Sequence, residues 1–235
     1  MRLSGLCLAG ALALVSLAGC TSQRPLAIVK ENAEFAAQHG RMDIAKRDYE
    51  EYIRRKPEDM DVRYEYAKAL IAAGEPKPAI EQLNTCLDVF PLNDNYLDAL
   101  AQAMYAAGEY DALTVLLARY TSERGRVSDY LRQGAYLSKI GNADEAQQAF
   151  KTAAKLDGGK TVAPQRALAD FYGSLGDRPK QVRHLRMAYY IDPENPETIQ
   201  EIRRIGEIPG PSFALAPDEW TPVSRSADVE LPDQD

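Results

Sequence analysis

Residues 128–157 read SDYLRQGAYLSKIGNADEAQQAFKTAAKLD, and their spacing decides the fold class. Apolar side chains recur at helical steps on both sides of Gly141-Asn142, which predicts two amphipathic helices broken at that dipeptide. Glycine takes positive φ at no steric cost and asparagine tolerates turns, so the break is a tight reversal. Small residues stand where two helices must approach closely (Gly134, Ala146, Ala153), and bulky ones fill between them (Tyr130, Leu137, Phe150).

The same arrangement recurs along the chain. Glycines that fit such turns stand at 40, 74, 108, 141 and 176, with spacings of 34, 34, 33 and 35 residues. Seven residues before each is a small side chain: Ala33, Ala67, Ala101, Gly134 and Ala169. Nine residues after each is a bulky apolar one: Tyr49, Leu83, Leu117, Phe150 and Leu185. Five residues after the glycine, Ala45, Ala79 and Ala146 keep the position small, whereas Leu113 and Gln181 depart from it. Each unit ends near a breaker, at Pro57, Pro91, Gly125, Gly158 and Pro193.

A period near 34 with this small-and-large alternation resembles the tetratricopeptide repeat. The resemblance implies an all-α solenoid of about five helix-turn-helix units over residues 26–206. Asn195 to Ile205, with Ile199, Ile202 and Ile205 in phase, is expected to form a capping helix over the last open face. The chain is 45% hydrophobic and 27% charged, enough to bury a core, and it holds no convincing period-2 run.

The first 19 residues, MRLSGLCLAGALALVSLAG, combine one basic residue with a short apolar run and small residues. They read as a secretory signal, too short for a spanning helix. Leu17-Ala18-Gly19-Cys20 resembles the bacterial lipobox, which implies cleavage before Cys20 and lipidation of its thiol and amine. Thr21 follows in place of the aspartate that retains many such proteins at the inner membrane. An outer-membrane anchor facing the periplasm is the implied location. Residues 20–25 then form a lipidated terminus and tether, and five extended residues reach less than about 20 Å. Cys7 leaves with the signal, so Cys86 is the one thiol left unmodified and an internal disulfide is excluded. It is expected in the core.

Residues 207–235 hold five prolines and seven acidic side chains against Arg225, a composition expected to be disordered. That segment carries most of the formal charge of −7 and leaves the repeats near neutrality. No basic stripe follows, so nucleic acid is not an expected partner. His39 and His184 stand apart from one another and from Cys86, with no metal-ligand spacing, and are expected at the surface. Gly159-Lys160-Thr161 lacks the earlier glycine of a phosphate loop, Ala154 standing in its place. No catalytic motif, metal site or cofactor is expected.

In tetratricopeptide solenoids the first helix of each unit lines a concave groove, and the repeat phase assigns the residues that would face it. They are Tyr64, Lys68 and Ile71; Asp98, Gln102 and Tyr105; Leu131, Arg132 and Ser138; and Arg166 and Asp170. Tyrosine, arginine and isolated apolar side chains suit a protein or peptide ligand. Trp220, the only tryptophan, is expected to anchor the tail, with the segment folding back into that groove. Lipid anchor and repeats together resemble the pilotin group of pilus biogenesis (PilF/PilW, TadD), which implies a secretin or pilus component as partner. The adaptor group of NlpI, which recruits periplasmic proteases and cell-wall enzymes, and the assembly component BamD are similar to a lesser degree.

Overall fold

A computed structural model describes residues 23–220. Among these, eleven helices and no strands occur: α1 Leu26–Gln38, α2 Met42–Arg55, α3 Met60–Ala72, α4 Pro76–Val89, α5 Asp94–Ala107, α6 Tyr110–Arg124, α7 Val127–Ile140, α8 Ala143–Asp157, α9 Ala163–Ser174, α10 Arg178–Ile191 and α11 Pro196–Arg204. The expected units are α1–α2 through α9–α10, and α11 is the expected cap. The five turn glycines all take φ between 70° and 98°, the left-handed region that other residues enter at a cost.

Elsewhere side chains punctuate the chain. Asp59, Asn93, Asp177 and Asn195 accept backbone N–H groups at the starts of α3, α5, α10 and α11. Asp157 closes the Gly158-Gly159 turn, accepting from the Thr161 N–H at 2.8 Å and its hydroxyl at 2.7 Å.

Odd-numbered helices stack on one another as well as on their partners (α1 on α3, α3 on α5, α7 on α9), and α11 packs on α10 and reaches α9 through the Arg166–Glu197 pair. The even-numbered helices pack mainly on their odd-numbered neighbours, so the stack curves with the odd row inside. Two departures of the repeat have visible consequences. Leu113, fully buried where units one, two and four keep alanine, holds α6 off α5. A cleft of about 490 Å³ opens there on the outer face, over Leu87, Leu100 and Leu116. In unit five the large Gln181 is accommodated because Gly173 faces it. A Cβ on Gly173 would lie 2.6 Å from the Gln181 amide nitrogen, which instead donates to Glu201 of α11 at 3.3 Å.

Disorder of the 207–235 tail is not what the structure shows for its first half. Residues 207–220 run back along α10. Phe213 is buried against Leu185, Tyr189 and Ile202, standing where the second helix of a sixth unit would pack. The Arg186 side chain donates to the Phe213 carbonyl at 2.7 Å, the Leu215 N–H donates to the Arg186 carbonyl at 3.1 Å, and Arg183 pairs with Asp218 at 2.7 Å. Proline forbids a helix here but also leaves little chain entropy to lose. Two of the acidic side chains that suggested solvation, Glu207 and Asp218, meet Arg178 and Arg183 of α10. Residues 221–235 lie outside the described residues, as do residues 1–19 and Cys20. Phe213→Ala is expected to cost about 2 kcal/mol in urea unfolding, below an enclosed phenylalanine because the solenoid end can relax.

Candidate protein-binding groove

The inner row carries the candidate site, and its geometry starts from a missing side chain. Gly134 of α7 has no Cβ, and one placed there would lie 2.7 Å from the Phe150 ring. Phe150 of α8 therefore reaches through to the inner face, where its ring centroid lies 5.6 Å from that of Phe171 on α9. Ala135 and Ala167 face each other above these rings and are too small to close the gap. The result is a cleft of about 400 Å³ between α7 and α9, with an aromatic floor and a rim of Leu131, Ser138, Lys139, Asp170 and Ser174. That volume is within the range of sites that enclose a ligand, about 300–1,000 Å³. Asp170 and Ser174 also border a second cleft of about 360 Å³, completed by Gly173, Gln181, Glu201 and Arg204, so the two share a rim.

Of the residues that the repeat phase assigned to the groove, Leu131, Ser138 and Asp170 line the first cleft. Asp170 is exposed as a residue, yet desolvation by the groove walls, and then Glu201, raise its carboxyl above the usual range. On α3, Lys68 sits 5.2 Å over the Tyr64 ring and pairs with Glu65 at 3.0 Å, while Ile71 is half-buried against the core. Tyr64 packs 5.1 Å from Tyr96, and Tyr105 lies 5.9 Å from Tyr136, with Lys139 above both Tyr105 and Tyr136. Gln102 is exposed and Asp98 pairs with Arg132.

Two assignments need correction. Arg132 is 8% exposed, drawn into a cluster with Asp94, Asp98 and Asp129, and is not presented to a ligand. Arg166 is committed to Glu197 of α11. Residues 207–220, the described part of the tail, run along α10 and not into the groove. Trp220 packs edge-on 5.9 Å from Tyr190 of α10 and beside Gly159, and Glu219 accepts from Gln165 of α9 at 3.0 Å. Sequence reasoning missed Ala135, Phe150, Ala167 and Phe171 as cleft residues. The pairing of Gly134 with Phe150 was the available signal.

Cys86 is fully buried, with its thiol pushed up to about 11 by burial, as a core cysteine should be. Among the described residues no group of three His, Cys, Asp or Glu is placed to hold a metal ion. No described helix is long and apolar enough to cross a membrane.

His39 is exposed, but His184 is not the surface residue expected. It stacks on Tyr172 at 5.3 Å, and its Nδ1 lies 2.8 Å from the Gln165 side-chain oxygen. Burial, reinforced by Arg183, pushes its pKa down to about 4. The unfolded chain binds this proton near pH 6.5 and the native state does not, so stability present above pH 6.5 is lost as pH falls toward 4. Wild type is expected to lose about 2 kcal/mol more than His184→Gln between about pH 7 and about pH 4.5, read by urea unfolding at both.

Residues 36–103 match the family described as tetratricopeptide repeat. The crystal structure of MamA protein is similar over 82% of this chain and 98% of that one, with a TM-score of 0.53 and 19% identity. A thermophilic tetratricopeptide-repeat protein of Thermus thermophilus, TTC0263, covers 77% of this chain and 98% of its own, at a TM-score of 0.52 and 20% identity. MamA from Desulfovibrio magneticus RS-1 gives a TM-score of 0.53 at 14% identity, over 73% and 97%. The fold is a tetratricopeptide-repeat solenoid. No curated protein sequence matches the chain. Stacked repeats of this kind present an extended concave surface, which in this chain is the inner row.

Proposed function

We propose that this protein is a lipid-anchored scaffold facing the periplasm that holds a protein segment in its inner groove during assembly of a pilus or secretin complex at the outer membrane. The observation that carries the scaffold reading is the aromatic-floored cleft between α7 and α9, an apolar recess on the face where repeat solenoids receive partners. The anchor rests on the lipobox-like Leu17-Ala18-Gly19-Cys20 and the short tether after it. The pilus assignment rests on the resemblance of anchor plus repeats to the pilotin group.

Crosslinking of the tagged, full-length protein in cells, followed by mass spectrometry, tests this reading. A secretin or pilus subunit is the expected capture. A periplasmic protease or cell-wall enzyme in its place overturns the pilus assignment and makes the protein an adaptor. In parallel, Cys20→Ala should abolish palmitate incorporation and move the protein out of the membrane fraction. Unchanged fractionation would refute the anchor.

A further inference from the structure

Asp170 stands on the rim shared by the two inner clefts, and the cations near it are spoken for. Arg166, one turn earlier on α9, is paired with Glu197, and Arg204 is paired with Glu201. Lys139, on the opposite rim, lies 4.8 Å over the Tyr136 ring. Among the described residues no side-chain hydrogen bond holds the Asp170 carboxylate, which feels Arg166, Arg204 and the like charge of Glu201 only at a distance. The recess therefore offers an apolar floor with a carboxylate at one edge that no side chain holds directly.

From this, and resting on the scaffold reading above, we infer that the groove is selective for an extended peptide segment that places an apolar side chain on Phe150 and Phe171 and a lysine or arginine of the same segment on Asp170. An extended chain rises about 3.3 Å per residue and returns side chains to one face at every second position. The apolar and basic residues of the ligand thus fall within about three positions of one another. A basic side chain gives Asp170 a direct partner, and an acidic one at that place is repelled by it. Specificity comes from that repulsion as much as from the attraction.

A photoreactive amino acid at Ser174, exposed on the shared rim, tests the inference in cells, with the same probe at the outer-face residue Val115 as reference. The segment captured from Ser174 is expected to contain an apolar residue with lysine or arginine within about three positions. Asp170→Lys, checked for native helicity by circular dichroism, should lower the yield at least about tenfold. Changing the partner's basic residue to aspartate should restore it. A captured segment without a nearby cation, or a yield unchanged by Asp170→Lys, overturns the inference and leaves the groove reading standing. Capture from Val115 alone, or none from a correctly incorporated probe at Ser174, overturns both.

Discussion

Phe150→Ala should lower the unfolding free energy by about 3–5 kcal/mol, the largest stability loss expected of a single substitution in the fourth unit. The ring is 4% exposed and joins α7, α8 and α9 through Gly134, Leu137 and Phe171. Its removal leaves a void continuous with the cleft, because the backbone beside Gly134 has no side chain to move in. The helices cannot collapse without losing their register on the neighbouring units. A paired change gives a sharper reading. Gly134→Ala alone is disfavoured, since its Cβ would meet the ring at 2.7 Å, but with Phe150→Ala the added methyl occupies vacated space. The double variant should be more stable than the two separate losses predict, measured by urea unfolding of all four proteins. Strict additivity would show that the contact does not govern the packing.

Asp129→Ala is expected to cost about 3 kcal/mol, and Asp129→Asn less. The carboxylate is enclosed at the start of α7. It accepts from the Arg126 Nε at 3.0 Å, from the Arg126 backbone N–H at 3.4 Å and from an Arg132 Nη at 3.1 Å. Removing it leaves three guanidinium groups, of Arg124, Arg126 and Arg132, to share Asp94 and Asp98. Arg124 and Arg132 are 9% and 8% exposed, so water cannot take over. The loss should persist at about 0.5 M salt, because a buried cluster is screened little. A loss that vanishes in salt would place the carboxylate among ordinary surface pairs.

How much of this was legible depended on how locally each feature is encoded. The five turn glycines were readable because only glycine enters positive φ freely, and their spacing alone placed ten of the eleven helices. The inner face was readable as a set of Cα positions, since helix period fixes where a side chain departs. It does not fix where a long side chain ends. Arg132 leaves α7 toward the groove and finishes among aspartates contributed by α5 and by its own first turn. The cleft was hidden for a related reason. It arises from what is small on two inner helices, Ala135 and Ala167, combined with a ring supplied from the outer row. The tail misled because composition averages over the whole segment, whereas one phenylalanine and two arginine contacts hold its first half. His184 was misread as exposed because its charged neighbours in sequence, Arg183 and Arg186, point along α10 toward the tail rather than around the ring.

The position of Phe213 also bears on how the chain is completed. A repeat stack can form unit by unit as the chain emerges, each new helix covering its predecessor. Ile202 and Leu185 are covered only once the segment bearing Phe213 has folded back over them. A product cut short before it would present an apolar, half-formed edge of the kind that degradative surveillance recognises. Phe213 thereby acts as the stopper of the stack, and a chain in which it is displaced keeps an open end.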